Sequence, residues 1–263
     1  MTDGRPRRSY VDAPHGQIHV AEAGSGTPLI LIHQTPRSSD EFREVMGLLS
    51  SQVRTVAFDL PGMGASDPLP APPSIEEYAA AALHVADALG LDSFHICGHH
   101  TGGVVAVEVA AHAPDRVRSI ALSSTPWIDG SARRARASAP PPVDVATHRP
   151  DGGHLIDLWN QRRPYYPMGH ELLDRYLADA LRASSTEEGH RAVGRYAMDE
   201  RCRSVRCPVL VIEHAGDPFA SKHTDALVAG FRPVSVVLVE DGRIPLEHGA
   251  VAVARALADF VGR

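Results

Sequence analysis

Residues 93–103, Ser-Phe-His-Ile-Cys-Gly-His-His-Thr-Gly-Gly, decide the fold of this chain. The segment up to Cys97 predicts a buried core strand, and a helical pattern runs from Thr101 to about His112. Glycines lie two positions before and two positions after His100, where larger side chains would collide with the neighbouring strand and helix. The spacing therefore predicts a tight strand-to-helix turn that holds His100 in a strained backbone conformation at the sheet edge.

Strand and helix patterns alternate on both sides of this segment. A hairpin formed by Tyr10–Ala13 and Gln17–Ala23 comes first, and an amphipathic helix closes the chain over Leu246–Val261. Apolar runs predict further core strands at Pro28–His33, Val53–Phe58, Val117–Leu122, Pro208–Ile212 and Val234–Val239. This order predicts an α/β fold with a mostly parallel sheet and helices on both faces.

Two Ser-x-x-Glu patterns stand before apolar helical stretches. Ser38 with Glu41 and Ser74 with Glu77 have the spacing of a capping box, in which each side chain bonds to the other residue's backbone. Both pairs therefore predict the start of a helix.

The alternation of strands and helices breaks between residues 126 and 200. Three prolines occupy positions 140–142, and three helical patterns occur around Leu158, Leu177 and Val193. Such helices need a surface to pack on, and the carboxyl edge of the sheet is the natural one. We predict an α/β core over residues 1–125 and 201–263, and a helical cap, or lid, over residues 126–200.

The composition limits the partners of the chain. Its 263 residues are 43% hydrophobic, and the formal net charge is -6. Binding to nucleic acid needs clustered cations, so this charge argues against that partner. No apolar run approaches the roughly 20 residues that cross a bilayer, and the basic, polar Met1–Arg8 is unlike a signal peptide. We expect a cytoplasmic monomer or homodimer that acts on a small molecule. No residue pattern identifies the oligomeric state, because the lid and the final helix are both candidate interfaces.

Loops at the predicted strand ends resemble those of the α/β-hydrolase fold superfamily. Residues 98–102 have its nucleophile-elbow spacing, and residues 59–67, Asp-Leu-Pro-Gly-Met-Gly-Ala-Ser-Asp, resemble its Asp-x-Pro-Gly-x-Gly-x-Ser loop. Residues 33–36 resemble the oxyanion loop, 216–219 the acid loop, and 242–247 the Gly-His-x-x-x-Glu segment that carries the catalytic histidine. The resemblance extends over nearly the whole chain from Tyr10 and implies an α/β-hydrolase fold with a cap between the sixth and seventh strands.

Three positions depart from the family pattern. His100 stands in place of the nucleophilic serine, Arg243 in place of the catalytic histidine, and Gln34 in place of an oxyanion-loop glycine, while Asp217 is unchanged. An arginine stays protonated and cannot take the proton of a serine hydroxyl. The ordinary esterase mechanism is therefore excluded at these positions.

The resemblance implies catalytic roles for His100, Asp217 and Arg243. His100 is a general base, a nucleophile, or a residue that fills an inactive site. Arg243 and Asp217 are expected to form a bidentate ion pair, which either braces the loop or lets the guanidinium hold a carboxylate or enolate oxygen. The backbone N–H groups of Thr35 and Thr101 are the expected oxyanion hole.

Candidate substrate-binding residues lie in the oxyanion loop, after the strand that ends near Leu122, and in the lid. The lid cluster is either packing with surface charge or, as the resemblance implies, the lining of the substrate pocket. The candidates are His33, Gln34, Trp127, His154, Trp159, Tyr165 and Tyr166. The three cysteines have no metal-ligand spacing, and we expect neither a metal nor a cofactor.

These residues leave three functions open. The first is a cofactor-free enzyme of hydrolase or lyase type, in which His100 abstracts a proton or activates water on a small carbonyl or carboxyl compound. The second is an inactive protein that binds a ligand or partner in the inherited pocket. The third is an esterase-type hydrolase with a relocated nucleophile, for which Ser66, Ser123 and Ser124 are the candidates. The retained acid and oxyanion loops favour the first, and the loss of two triad residues favours the second.

Overall fold

The computed structural model describes residues 5–139, 147–166, 169–184, 186–217, 221–240, 244 and 246–262. The strands are β1 (Arg7–Ala13), β2 (Gly16–Ala23), β3 (Pro28–Ile32), β4 (Arg54–Phe58), β5 (Phe94–His99), β6 (Val117–Ser123), β7 (Val209–His214) and β8 (Val234–Val239). The helices are α1 (Arg43–Leu49), α2 (Ile75–Ala88), α3 (Thr101–His112), α4 (Gly130–Ala137), α5 (Gly153–Arg162), α6 (Glu171–Arg182), α7 (Thr186–Arg195), α8 (Met198–Arg201), α9 (Thr224–Gly230) and α10 (Ala250–Val261).

The strands form one eight-stranded sheet in the order β1-β2-β4-β3-β5-β6-β7-β8. β2 pairs antiparallel with β1 and β4, and the remaining pairs are parallel. Neighbouring residues of β3 show why its strand is apolar throughout: Ile30 belongs to the core on one face of the sheet and Leu31 to the core on the other. The predicted mostly parallel α/β sheet with helices on both faces is confirmed.

The two faces of the sheet are covered by different helices. Tyr78 of α2 and Val105 of α3 pack into one core, and Met46 of α1 and Leu257 of α10 pack into the other. Because the parallel strands run in the same direction, the loops after β3, β5, β6 and β7 meet at one edge of the sheet. This edge is where ligands bind in open α/β sheets.

One of the two predicted capping boxes is present. Ser74 caps α2 by accepting the N–H of Glu77, whose side chain returns to the Ser74 backbone. Ser38 caps a short 3-10 helix before α1 instead and accepts the N–H of Asp40. The prediction of a capping box at Ser38 is wrong. The Glu41 side chain instead accepts a hydrogen bond from Gln34 and forms an ion pair with the buried Arg37.

The chain leaves the sheet after β6 and returns at β7, and the described residues between them contain helices α4 to α8. Helix α4 was not predicted from the sequence, because Gly-Ser-Ala-Arg-Arg-Ala-Arg-Ala has no apolar face and none of its residues is buried. Ser184, between α6 and α7, donates its N–H and hydroxyl to the carbonyl of Gly62. The helices therefore lie against the loop after β4, while a separate cap over residues 126–200 stays a prediction.

The last part of the chain differs from the predicted pattern in two places. Helix α9 follows the acid loop, where no helix was predicted, and α10 begins at Ala250, because residues 246–249 form a turn. Within the described ranges, no helix has both the length and the apolar character required to span a bilayer.

Candidate active site

His100 lies at the turn between β5 and α3 in a backbone conformation that favours glycine. Its φ and ψ angles are 46° and -109°, and in the described ranges Ser124 is the other non-glycine residue with positive φ. The His100 N–H donates to the Ser123 carbonyl at 3.0 Å, and its own carbonyl accepts the N–H of Gly103 at 3.1 Å. The predicted strained turn at residue 100 is confirmed.

The flanking glycines make this turn possible because the backbone segments approach closely. A Cβ atom on Gly98 would lie 2.1 Å from the carbonyl oxygen of Gly102, and one on Gly102 would lie 1.9 Å from that of Ile32. The first turn of α3 is thereby brought directly against the end of β3. This contact places His100 beside the predicted oxyanion loop.

The His100 imidazole bonds directly to the carboxylate of Asp217. Nε2 of His100 lies 2.8 Å from Oδ2 of Asp217, which follows β7 and is 4% exposed, whereas the His100 side chain is 20% exposed. An ionised carboxylate only accepts hydrogen bonds, so the hydrogen-bond network assigns the ring proton to Nε2. Nδ1 is then left with a lone pair, the arrangement required of a general base.

The expected pairing of Asp217 with Arg243 lies outside the described residues, because Arg243 is not among them. The sequence did not indicate a bond from Asp217 to His100, because the family pattern separates the elbow residue from the partner of the acid. A histidine at the elbow is long enough to reach the acid loop by itself.

The two predicted oxyanion-hole residues are close neighbours. Thr35 follows β3, and its backbone N–H points at the Thr101 hydroxyl with a nitrogen-to-oxygen distance of 3.4 Å. This distance exceeds the 2.7–3.2 Å that is normal for such a bond, so the Thr101 hydroxyl is a weak partner for this N–H. Thr101 begins α3, where the backbone N–H groups have no partner within the helix.

A family model described as alpha/beta hydrolase fold matches residues 27–203. The chain belongs to the α/β-hydrolase fold family. Among solved structures, the enol-lactonase of Burkholderia xenovorans LB400 has a TM-score of 0.78 at 19% sequence identity and covers 97% of this chain and 100% of that one. At this identity the likeness shows the fold alone.

Curated relatives of this α/β hydrolase match only part of its chain. Haloalkane dehalogenase 2 of Mycobacterium tuberculosis (strain ATCC 25618 / H37Rv) is 34% identical over 163 residues, which cover 59% of this chain and 57% of that protein. Bifunctional epoxide hydrolase 2 of Sus scrofa is 35% identical over 121 residues, which cover 44% of this chain and 21% of that protein. The chain thus spans little more than half of one relative and about a fifth of the other.

The predicted oxyanion loop uses His33 and Gln34 for its own structure. Nε2 of His33 accepts the N–H of Leu60 at 2.9 Å, and Nδ1 donates to the Gln34 carbonyl at 2.8 Å. Gln34 bonds to Glu41 through its backbone N–H and its side-chain amide. His33 is fully buried, so it braces the loops after β3 and β4 and has no ring nitrogen left for the substrate contact that we predicted.

The predicted aromatic residues divide into those in the hydrophobic cluster of α5 and α6 and those elsewhere. Tyr166 is buried beside Tyr176, with ring centroids 5.8 Å apart, in the cluster that includes Leu158 and Leu173. Trp159 stacks on His170 in the lid. The other predicted residues lie apart from this cluster or at its margin: Trp127 packs on Phe231, His154 accepts the N–H of Arg149, and Tyr165 stacks with Arg162.

Trp127 was predicted to bind substrate, and the structure gives it a packing role. Its ring lies edge-on to Phe231, and a Cβ on Gly230 would lie 2.5 Å from it. Phe231 and Gly230 belong to the segment that ends α9, so Trp127 seats this helix against the core. His154, in the first turn of α5, likewise bonds locally, to the segment that precedes the helix: it accepts the N–H of Arg149, and its ring lies 4.6 Å from that of His148.

Helix α7 brings a residue to the site that sequence reasoning missed. A Cβ on Gly189 would lie 3.0 Å from Oγ1 of Thr35, so α7 rests directly on the oxyanion loop. The next residue is His190, which burial and the charges of Arg162 and His100 shift to a pKa of about 4. His190 is therefore a neutral imidazole whose pKa is affected by the charge of His100. The contact of α7 with Thr35 at Gly189 depends on tertiary packing, which no local pattern in α7 encodes.

A buried polar chain lies beside His100. Oγ of Ser123 is 2.9 Å from Nδ1 of His99 and 3.0 Å from Nε2 of His214. The His99 ring meets the His100 ring edge-on, with centroids 4.5 Å apart. Burial lowers the pKa of His214 to about 4 and that of His99 well below its ordinary value, so both are neutral at neutral pH. The His100–Asp217 pair thus rests on an uncharged layer.

The described residues contain no group of three or more His, Cys, Asp or Glu side chains arranged to hold a metal ion. Among the described residues, the candidate site brings together one imidazole, one carboxylate and backbone N–H groups. This set supports acid–base chemistry with stabilisation of a developing negative charge on oxygen.

Proposed function

We propose that this α/β hydrolase is a cofactor-free enzyme that hydrolyses a small carbonyl or carboxyl compound, with His100 as the general base. The observation that carries the proposal is the 2.8 Å bond between Nε2 of His100 and the carboxylate of Asp217 at the nucleophile elbow. A buried carboxylate that holds an imidazole in one tautomer is the arrangement that orients the base in acyl-transfer enzymes. The names of the relatives, a haloalkane dehalogenase and an epoxide hydrolase, support hydrolysis more than lyase chemistry.

In the proposed first step, Nδ1 of His100 takes a proton from a water molecule as the water oxygen attacks the carbonyl carbon. A carbon–oxygen bond forms, and the carbonyl π electrons move to the carbonyl oxygen. The backbone N–H groups of Thr35 and Thr101 stabilise this oxyanion. Asp217 stabilises the imidazolium that forms at His100, because its carboxylate accepts a hydrogen bond from Nε2–H.

In the second step, the oxyanion returns its electrons to carbon, and the bond from carbon to the leaving oxygen breaks. The imidazolium of His100 gives its proton to that oxygen, which restores the neutral base. The products are a carboxylic acid and an alcohol or enol. No covalent enzyme intermediate is required, so the missing serine and the arginine at position 243 do not prevent the reaction. The predicted role of Arg243 is to hold an anionic oxygen of the substrate.

The hypothesis of a relocated nucleophile has less support than the proposed function. Its three candidate serines, Ser66, Ser123 and Ser124, all lie in the interior of the protein. Ser123 has two histidine neighbours but is fully buried. Ser66 accepts the His19 N–H and donates to the Asp59 carbonyl. Ser124 is 5% exposed, and its hydroxyl is buried. A nucleophile must reach the substrate, and all three serines are buried.

The proposal is tested by turnover of activated aryl esters, small lactones and epoxides, followed by proton release. His100→Ala is expected to lower kcat/KM by about a hundred- to ten-thousandfold, the usual contribution of a general base. Asp217→Asn is expected to have an effect of the same order, because it removes the carboxylate that orients the base. His112→Ala, at the exposed end of α3, is the matched control and should leave kcat/KM as in the wild type.

The same panel separates the competing hypotheses. A wild-type protein that reacts with a fluorophosphonate would support a relocated serine, and an unlabelled active protein would oppose it. Unchanged activity of the His100→Ala variant would contradict the proposal that His100 is the general base. Binding of product acids without any turnover, measured by calorimetry, would support the inactive binding protein.

A further inference from the structure

Strand β8 is an edge strand with an apolar surface. Its sequence is Val-Ser-Val-Val-Leu-Val, and it is the last strand in the sheet, paired with β7 on one side. Val236, Val237 and Leu238 are 46%, 36% and 54% exposed. Edge strands are usually protected from association by lysine, proline or an inward-pointing charge, and the interior of β8 has none of these.

The direction of the backbone groups of β8 follows from its pairing with β7. The Pro233 carbonyl accepts the N–H of Val209, and the Val239 carbonyl accepts the N–H of Ala215. Backbone groups alternate in direction along a strand, so residues 235, 237 and 239 point their N–H and C=O groups toward β7, and Pro233, which has no N–H, points its C=O there. Residues 234, 236 and 238 therefore point theirs away from the sheet. In the part of the chain that the structure describes, no hydrogen bond reaches these outward groups.

The outward groups are self-complementary in a single register. In an antiparallel pair, residues that exchange two hydrogen bonds must both point toward the partner strand. A twofold axis at Val236 pairs Val236 with Val236 and Val234 with Leu238, so all three outward residues of each strand bond to those of the other. Shifting the register by two residues would pair an outward apolar residue with Arg232 or Glu240.

The charges at the ends of β8 agree with the same register. With the axis at Val236, Arg232 of one copy lies at the same end of the paired strands as Glu240 of the other, each just outside β8, and this proximity occurs twice by symmetry. Both residues are exposed in the single chain. Opposite charges that face each other across an antiparallel pair are stabilising, and like charges are destabilising.

We propose that β8 is a homodimer interface, in which β8 of a second copy pairs antiparallel with it around Val236. The two eight-stranded sheets then form one continuous sheet across the twofold axis. The surface fits a second copy of this chain because its hydrogen-bond pattern, its apolar side chains and its end charges are each complementary to themselves. This interface differs from the lid and the final helix, which the sequence offered.

Oligomeric state in solution provides the first test, by sedimentation velocity and by size exclusion with light scattering over a range of protein concentrations. The wild type is expected to be a dimer, and Val236→Lys a monomer, because two lysines would meet at the twofold axis. Leu48→Lys on α1 is the matched control: Leu48 is also 46% exposed, and the variant should remain a dimer. Circular dichroism confirms that both variants are folded.

A charge-reversal cycle tests the register. Arg232→Glu and Glu240→Arg are each expected to raise the dimer dissociation constant about tenfold, because each creates two like-charge contacts. The double variant Arg232→Glu with Glu240→Arg restores opposite charges and should return to the wild-type value. If the double variant instead has a dissociation constant raised by the product of the two single effects, this register is rejected.

Amide hydrogen exchange supplies a readout that folding alone would not change. Upon dimerisation, exchange should slow at the outward amides of residues 234, 236 and 238, and it should stay unchanged at residues 235 and 237, which already bond to β7. A wild type that stays monomeric at high micromolar concentration would overturn the proposal. So would a dimer that is dissociated by Ile156→Lys on the lid or Val251→Lys on α10 and not by Val236→Lys.

Discussion

At the scale of single residues, His100 combines two positions that the α/β-hydrolase pattern keeps separate. It occupies the elbow, where the backbone is strained, and it also contacts the acid at the end of β7. The substitution of Arg243 for the catalytic histidine therefore does not leave Asp217 without an imidazole partner. Under the proposed function, this pair supplies a base without a serine, which favours direct attack by water.

His214 makes a residue-scale prediction about stability and pH. Its pKa of about 4 in the folded protein, caused chiefly by burial, lies below the ordinary value of 6.5. Between these values the unfolded chain binds more protons, so this contribution to stability is fully present above pH 6.5 and is lost as the pH falls toward 4. In the wild type we expect about 3 kcal/mol of unfolding free energy to be lost across this window through His214, at about 1.4 kcal/mol per pKa unit.

The measurement is urea unfolding at half-unit pH intervals from 7 to 4. His214→Gln should flatten the curve in this window, since glutamine does not titrate and can still bond to Ser123. His112→Gln, at an exposed position of α3, is the control and should follow the wild-type slope. Parallel curves for the wild type and His214→Gln would contradict the assignment.

At the scale of elements, the elbow depends on a close contact between α3 and β3. Alanine normally stabilises a helix relative to glycine by about 0.5–1 kcal/mol, but a Cβ on Gly102 would lie 1.9 Å from the Ile32 carbonyl oxygen. Gly102→Ala is therefore expected to lower the unfolding free energy by about 1–3 kcal/mol, the usual cost of overpacking. It should also lower kcat, because His100 and Thr35 would move apart.

The control for this prediction is Gly130→Ala on helix α4. The nearest atoms to its added Cβ are flexible arginine side chains at 3.4 and 3.6 Å, so the variant should be as stable as the wild type or more so. Chemical denaturation of both variants provides the comparison. A Gly102→Ala protein with wild-type stability would show that the α3–β3 contact relaxes without cost.

The sequence predicted those elements whose signals are local. The elbow was predictable because two glycines within five residues specify a strained turn, and the parallel sheet because apolar runs such as that of β3 alternate with helical patterns. Helix α4 was not predictable from the sequence, because it has no buried residues and is held by contacts with other elements, such as the Arg133–Asp199 ion pair. The roles of His33 and Trp127 were also beyond the sequence, because their partners Leu60 and Phe231 are distant in the chain.

At the scale of the whole molecule, one buried arginine joins three parts of the chain. Arg37, after β3, is 1% exposed and lies 3.0 Å from Asp179 of α6 and 2.9 Å from Glu247, which precedes α10. Glu41 lies 3.6 Å away. Although burial acts in the opposite direction, the carboxylates hold the pKa of Arg37 well above its ordinary value. No sequence pattern indicates this cluster, because the partners are 142 and 210 residues away.

Arg37→Met provides the test of this link between the core, the lid helix α6 and the segment before α10. The variant would leave three carboxylates facing one another without a cation, and breaking a buried pair in this way typically costs about 3–5 kcal/mol. Burial already raises the pKa of Glu247 to about 7, against the opposing effect of Arg37. Without Arg37 the folded state binds still more protons than the unfolded chain, so the unfolding free energy should recover as the pH falls from 7 to 5.

Guanidinium unfolding at pH 7 and pH 5 measures both effects. Arg175→Met is the matched control: Arg175 also joins α6 to the core, through Asp40 and Glu44, but these pairs are nearer the surface, and its loss should cost about 1 kcal/mol. Adding Glu247→Gln to Arg37→Met should restore part of the lost stability, because one of the repelling carboxylates becomes neutral. If Arg37→Met is no less stable than Arg175→Met at pH 7, the cluster does not join the lid to the core, and α6 is held mainly by its apolar contacts.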